Sequence, residues 1–523
     1  MTAIPLKEVG IHLRPKDNVA VAIRNIPAET KIQIDGVTLL LPSPVRMGHK
    51  FAVQPIKEGD PITKYGQTIG FAGRNIHPGE HVHVHNVILG KFERDYAYST
   101  EVPLPPPPPA TQRSFMGYDR GSSKPEHLRY GTRNYIAIIS TVNCSAATSK
   151  YVAEKLRSLD VLKNFPNVDG ILPIVHKHGC AMAYGGDDHK QLDRTLAGFA
   201  RHPNVAAYIL IGLGCETGQA AHLIENEHLD LIQINADKKK PLVLSIQECG
   251  GIGKTVEAGV KAVIDMLPKA NDVRRVQVDA KHIILGTNCG GSDGNSGVTA
   301  NPALGVASDL IVQQGGTSIL GETTEIYGAE HLLTRRAVTK EVGEKLVERI
   351  KWWEWYTSIF GVEINNNPSV GNKEGGLTTI YEKSLGAIAK AGSTAMVDVV
   401  HYAEPVTKKG FVVMDTPGYD PVSMTGIVAG GANVLVFTTG RGSVFGCKPS
   451  PSIKVATNSP LYKHMEGDMD INAGRVLEGV PVEEVGKEIF EKILSVASGE
   501  KTKSEINGVG EEEFAPWGIG PTL

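Results

Sequence analysis

Between residues 135 and 320, continuous apolar runs alternate with stretches of helical spacing, and this leaves few folds open. The runs are Tyr135–Ile139, Gly170–Val175, Ala207–Ile211, Pro241–Ile246, His282–Leu285 and Thr317–Leu320. Helical patterns lie between them at Ser149–Leu159, Leu192–Arg201, Gln219–Glu225, Thr255–Leu267 and Ala303–Gln313. A strand apolar at every position is covered on both faces, and strands joined through helices run parallel. The expectation is an α/β region built on mostly parallel sheet and covered by helices.

A proline run, Pro103-Leu104 followed by Pro105 to Pro109, precedes this region. It favours stiff polyproline II and cannot continue a helix or a central strand. Upstream, the short apolar runs Val19–Ile23, Thr38–Leu41, Phe51–Val53 and Thr68–Ala72 are punctuated by turn residues such as Asp35-Gly36 and Glu58-Gly59-Asp60. That pattern predicts a small β-rich barrel or sandwich. Downstream, Ala329–Trp355 reads as helix, with strands at Ala395–Val400, Phe411–Met414 and Val434–Thr438 and a helix at Val485–Ala497. The expected domains are 1–102, a linker 103–114, an α/β domain 115–390 and a second α/β domain 391–523.

With 523 residues, 41% hydrophobic and 21% charged, the chain can bury more than one sizeable core. A formal net charge of -3 offers no electrostatic reason for a nucleic-acid or membrane partner. No apolar run approaches the roughly 20 residues of a bilayer span, and the charged start lacks a secretory core. The cytoplasm is the expected location, and six widely spaced cysteines are then thiols or ligands rather than a disulfide framework. Gly250–Thr255 lacks the first glycine of a phosphate loop, where Glu248 stands. Gly212-Leu213-Gly214 lacks the third glycine of a dinucleotide fingerprint.

Five cysteines fall just past the strand runs: Cys144, Cys180, Cys215, Cys249 and Cys289, at intervals of 36, 35, 34 and 40 residues. Ligands of open α/β sheets bind beyond the carboxyl ends of the strands. Four of these thiols, Cys144, Cys180, Cys215 and Cys289, are therefore candidate ligands for a soft metal such as iron or zinc. Taken singly, each cysteine is as well explained as a small core residue; the shared topological position is the signal. Polar groups gather at the same strand ends, with His176 before Cys180 and with Glu322 and Glu325 after the last run. These three are candidate acids and bases. His81, His83 and His85 alternate on a strand period, so that three imidazoles on one face could add to a metal site. A solvent-facing strand would carry the same pattern. Arg133, Lys50, Lys373, Arg441, Asn301 and Asn372 could hold a carboxylate and hydroxyls.

Longer motifs run in order along the chain: Asp17-Asn18-Val19, Gly48-His49-Lys50, Lys64-Tyr65-Gly66, His178-Gly179-Cys180 and Gly212-Leu213-Gly214-Cys215-Glu216. Cys289-Gly290-Gly291-Ser292-Asp293, Ser296 to Pro302 with Thr299 and Asn301, Gly371-Asn372-Lys373, Thr439-Gly440-Arg441-Gly442 and Ile471 to Gly474 complete the series. Together they resemble the altronate and galactarate dehydratases and the related sulfolactate sulfo-lyases. The resemblance implies an N-terminal SAF module, a metal-dependent hydro-lyase acting on a sugar acid, and iron(II) as the metal. His81–Asn86, Gly186–His189 and Tyr327–Glu330 favour the altronate branch over galactarate dehydratase or sulfo-lyase. Within these motifs His49 joins the catalytic candidates. Asn18, Asn134, Ser292, Asp293 and Thr299 join the groups expected on the substrate.

Two alternatives stay open at this point. Three or four thiolates could hold an iron–sulfur cluster, or another divalent metal, in place of mononuclear iron(II). The chain could also be a metal- or carbohydrate-binding protein rather than an enzyme. The aromatic helix around Trp352 invites a homodimer, and residues 122–130 lengthen the loop before Gly131.

Overall fold

The computed structural model describes residues 3–90, 94–121, 129–229 and 241–520, so part of the lengthened loop expected at 122–130 lies outside it. The continuous apolar runs become two separate parallel sheets. The smaller contains β1 (Tyr135–Ser140), β2 (Gly170–Ile174), β3 (Val205–Gly212) and β4 (Leu242–Ser245) in the order β2-β1-β3-β4. The larger contains β5 (Ile284–Cys289), β6 (Thr317–Leu320), β7 (Met396–Val400), β8 (Gly410–Met414), β9 (Val434–Thr439), β10 (Ser452–Ala456) and β11 (Ile471–Asn472). Their order is β7-β8-β6-β5-β9-β10-β11, parallel throughout.

The expected boundary at 390/391 does not separate two domains. β5 pairs with β9 and β6 with β8, so residues on both sides of it share one sheet. The reason is topological: β6 leads through a long helical excursion and returns to the same sheet edge. β10 escaped the sequence reading because Lys454 interrupts its apolar run. Its ammonium is nevertheless buried, donating to the Phe445 carbonyl at 3.0 Å and to Ser504.

The helices that matter here are α1 (Asn143–Ser158), α2 (Asp187–Ala200), α3 (Ile252–Asn271), α4 (Ala300–Gln313), α5 (Lys340–Ile359), α6 (Ile380–Ala387), α7 (Asp420–Ala429) and α8 (Val482–Ala497). Ile136, Ile138 and Ile209 face α1 and α3 through Val152, Leu156 and Val263. Their neighbours Ala137, Ile139 and Leu210 point the other way, into a layer shared with the large sheet. There Leu196 and Phe199 of α2 meet Met424 and Ile427 of α7, while Leu435 and Phe437 close it from below. Burial on both faces explains why these strands carry no polar alternation.

The N-terminal module is β-rich, as expected. Three small sheets combine residues 4–5, 31–34 and 37–40; residues 61–64, 67–72 and 87–88; and residues 10–11, 19–22, 50–52 and 81–82. It is anchored to the large sheet by buried charge. The Lys50 and Lys64 ammoniums each reach the Glu382 carboxylate of α6 at 2.9 Å, and Lys50 also donates to the Gly376 carbonyl at 2.6 Å. Burial opposes ionisation of Glu382, but the two lysines outweigh it and hold its carboxyl far below the ordinary range. No helix among the described residues is long and apolar enough to cross a membrane.

Candidate active site and metal centre

The carboxyl edge of the large sheet carries a buried cluster. β5 ends on Cys289, and β6 delivers Glu322 and Glu325; all three are buried, with ligand atoms within 4.8 Å of one another. Two lysines meet them from one helical stretch, because Lys383 in α6 and Lys390 in the 3-10 turn that follows are seven residues, about two turns, apart. Lys390 Nζ lies 2.8 Å from Cys289 Sγ and 2.5 Å from Glu322 Oε2, and Lys383 Nζ lies 2.7 Å from Glu325 Oε1. Asn367 donates to that same Glu325 oxygen at 2.8 Å.

Glu322 is held in a left-handed backbone conformation, with φ of 63°. Its amide donates to Thr416 Oγ1 at 2.6 Å. Its Oε2 accepts from Lys390 and from the Cys289 amide, whereas its Oε1 is buried without a partner. Such strain is typical of functional positions. Burial pushes the Glu322 carboxyl up to about 7, with Lys390 opposing and Glu325 adding to the rise. Asp420, the first residue of α7, sits against the same cluster. Gly290 leaves it room, since a Cβ there would lie 2.2 Å from Asp420 Oδ2. Burial first, and then the negative charges of Glu322 and Glu325, push its carboxyl well above the usual range. One edge thus holds two carboxyls that burial and the neighbouring negative charge push upward, Glu322 to about 7.

The second feature is imidazole. His49, His81 and His83 bring ligand nitrogens within 4.8 Å of one another, and His49 Nδ1 lies 3.0 Å from His81 Nε2. His49 Nε2 faces the Glu374 carbonyl at 3.0 Å. Burial lowers all three, His81 to about 4 and His83 to about 3, so the rings are neutral at physiological pH with lone pairs to give. His83 Nδ1 is buried without a hydrogen-bond partner. A divalent transition metal fits this donor set. Residues 367–376 run past both features. Asn367 touches Glu325, Asn372 Nδ2 donates to the Ser292 carbonyl at 2.9 Å, and Glu374 and Gly376 receive His49 and Lys50.

Several expectations need correction. The four thiols do not form one site: Cys144, Cys180 and Cys215 are exposed at the edge of the small sheet, whereas Cys289 is buried at the large one. Burial pushes the Cys289 thiol up to about 12, and an entering dication would have to displace the Lys390 ammonium from its sulfur. His85 is not among the imidazoles whose ligand nitrogens fall within 4.8 Å of one another, and the chain turns at 83–86. There Asn86 accepts from the His83 amide and donates to the His81 carbonyl. His49, expected as a separate catalytic residue, takes its place.

His176 has no nitrogen left for proton transfer, since Nε2 meets the Ser140 carbonyl at 2.9 Å and Nδ1 accepts the His178 amide at 3.1 Å. Arg133 is tied to Glu505 and to backbone carbonyls, and Asn134 to Asn167 and Ala270, at the amino end of β1 and so at the opposite end from the thiols. Asn18 pairs with Thr63 and Pro61 inside the N-terminal module. Lys50 is consumed by Glu382. Thr299 and Asn301 bond to Thr457, Gly386 and Thr438, and Asp293 accepts from Ser296, Thr457 and Asn458. Asn372 caps its own turn with Ser369. These buried polar residues are satisfied structural groups.

Three expected groups remain candidates for a ligand: the buried Ser292 hydroxyl without a partner, the half-buried Lys373, and the half-exposed Arg441, which pairs with Glu374 at 3.3 Å. Lys383, Lys390 and Asp420 were missed. The seven-residue spacing of the lysines and the position of Asp420 after the β8 strand end were the available signals.

The chain matches three family models in succession. They are the altronate/galactarate dehydratase SAF domain over residues 8–89, the D-galactarate dehydratase/altronate hydrolase second domain over 117–271, and the D-galactarate/altronate dehydratase C-terminal domain over 280–522. It is 35% identical over 516 residues to the altronate dehydratase of Bacillus subtilis (strain 168), covering 98% of this chain and 99% of that protein. It is 34% identical over 514 residues to the altronate dehydratase of Escherichia coli (strain K12), covering 98% and 99%. With the galactarate dehydratase (L-threo-forming) of Escherichia coli (strain K12) it shares 37% over 496 residues, covering 94% and 93%. A chain that matches these relatives from end to end, with its acid, base and imidazole groups on the matched segments, belongs to the altronate/galactarate dehydratase family.

Proposed function

We propose that this protein removes water from a six-carbon sugar acid, with D-altronate as substrate and a 2-keto-3-deoxy sugar acid as product. The observation that carries the reading is Glu322, with its unpartnered buried Oε1, set in one cluster with Asp420, whose carboxyl burial pushes well above the usual range. Glu322 takes the proton from the carbon beside the substrate carboxylate. Asp420 gives its proton to the hydroxyl leaving the next carbon, which departs as water. The resulting enol becomes the ketone, and the proton on Glu322 passes back to Asp420 to restore the starting state. Lys383 and Lys390 compensate the charge that develops as the proton leaves. Ser292, Lys373 and Arg441 would orient the carboxylate and hydroxyls.

His49, His81 and His83 would hold the metal, iron(II) in this reading, which when bound supplies a Lewis acid for the substrate oxygens. Their neutral rings and the orphaned His83 Nδ1 support that assignment. The preference for altronate rests on the motifs His81–Asn86 and Tyr327–Glu330 and on the two full-length altronate dehydratase relatives. The proposal includes a cytoplasmic location, supported by the free thiols, and a homodimer, supported by exposed Trp355, Ile359 and Phe360 on and beside α5. Anaerobic protein with iron(II) should release 2-keto acid from altronate faster than from galactarate, and no sulfite from sulfolactate. Release of 2-keto acid from none of the sugar acids would overturn the reading.

A further inference from the structure

The thiols of the small sheet remain unused by this chemistry. We propose that its carboxyl edge binds an iron–sulfur cluster through Cys144, Cys180 and Cys215, separately from the acid–base cluster and the imidazole group. The inference does not rest on the function proposed above.

Each of these cysteines stands just beyond its own strand: Cys144 after β1, Cys180 after β2 and Cys215 after β3. The three strands are adjacent, in the order β2-β1-β3, and neighbouring strands lie about 4.8 Å apart. The loops that carry the thiols are clasped together. The Asn143 amide donates to the His178 carbonyl at 2.9 Å, and the Gly218 amide donates to the Gly179 carbonyl at 3.0 Å. The Cys180 loop therefore touches both of the others. Gly179 makes this closeness possible: its φ is +97°, and a Cβ there would lie 2.3 Å from the Thr141 carbonyl oxygen. Beneath the loops the buried Glu216 accepts from Thr141 Oγ1 at 2.9 Å and from the Gly214 amide at 2.6 Å, so the edge is fixed without using a thiol.

Packing does not account for these residues. Cysteine is among the side chains most often buried, yet all three are exposed and unpaired. Nor does a single ion suit them. Among the described residues only the imidazole group and the Cys289 group draw three ligand atoms within 4.8 Å, whereas a closed zinc site needs four ligands around one ion. In a cluster each thiolate binds a different iron, so the sulfurs stand farther apart. Three thiolates on a four-iron cluster leave one iron open. Gln247 Nε2, 3.5 Å from Cys215 Sγ, supplies the kind of hydrogen bond to sulfur that tunes such centres.

The test is anaerobic reconstitution of the full chain with ferrous iron and sulfide, followed by iron and acid-labile sulfide analysis, visible absorbance and electron paramagnetic resonance. The expected result is about four irons and four sulfides per chain beyond any iron held by imidazole. Cys144→Ser, Cys180→Ser and Cys215→Ser should each lose most of the labile sulfide and visible band while melting as the wild type does. Cys249→Ser and Cys447→Ser should keep both. His83→Ala should also keep the band, so this proposal and the dehydratase reading fail separately. Wild-type protein that binds no labile sulfide overturns the inference, as does a triple Cys144/Cys180/Cys215→Ser variant that binds as much as wild type. Zinc or a lone iron on these thiols without sulfide overturns it too.

Discussion

The two parallel sheets present reactive side chains at the same ends of their strands, but one edge is open and the other is covered. At the small sheet Cys144, Cys180 and Cys215 are exposed; at the large sheet Cys289, Glu322 and Glu325 are buried under α6 and the turn that follows it. The covering element brings its own charges, Lys383 and Lys390, into contact with the carboxylates and the thiol. The same residue type therefore has two chemistries. A buried cysteine beside carboxylates keeps its proton, while exposed thiols on clasped loops are available to soft metals. Strand-end position supplies candidate residues; the cover decides whether they are buried among charges or left open to solvent.

The largest expected effect is at the covered edge. Glu322→Gln keeps the shape and removes the base, so kcat should fall by about 10²–10⁴-fold, the usual contribution of a positioned general base. A kcat within threefold of wild type would remove the distinction drawn between the edges. Lys390→Met leaves Glu322 buried without its counter-charge and should cost about 3–5 kcal/mol in urea unfolding. A loss under about 1 kcal/mol, the range of exposed ion pairs, would mean that the cluster is open to solvent.

At the imidazole group, His83→Ala should weaken iron(II) binding at least tenfold by titration calorimetry, since even residues that only support ligands contribute that much. Unchanged affinity would move the metal elsewhere. The pH dependence sharpens the same comparison. Glu322 must be ionised to act as base, and its carboxyl sits at about 7, so kcat should fall as pH drops through that value and level off above it. The limb should be absent from any residual rate of Glu322→Gln. The smallest effect belongs to the open edge, where Cys144→Ser should change stability by no more than about 0.5 kcal/mol. A larger loss would show that the thiol is packed.

Much of the fold was legible because burial on both faces writes itself into sequence as unbroken apolar runs. Tyr135–Ile139, Ala207–Ile211 and Phe411–Met414 all fall within observed strands. β10 was not legible, since a strand that buries a satisfied lysine looks polar. The imidazole group was half legible. A two-residue periodicity joined His81 to His83 but carried on to His85, past the point where Asn86 turns the chain. His49 entered through pairing register, because Lys50 faces Val82 and Phe51 faces His81 across two strands.

The sequence by itself determined that strands would be parallel, that a β-rich module would precede them, and that thiols, carboxylates and imidazoles would stand at strand and turn ends. These are local properties, set by hydrophobic period and by residues whose backbone preferences act within a few positions. Only the tertiary structure decided that the strands divide into two sheets, that Cys289 parts company from the other thiols, and that Lys383, Lys390 and Asp420 close over Glu322. Those outcomes depend on which edge each crossover returns to and on what then covers it, and therefore on contacts between segments a hundred residues or more apart.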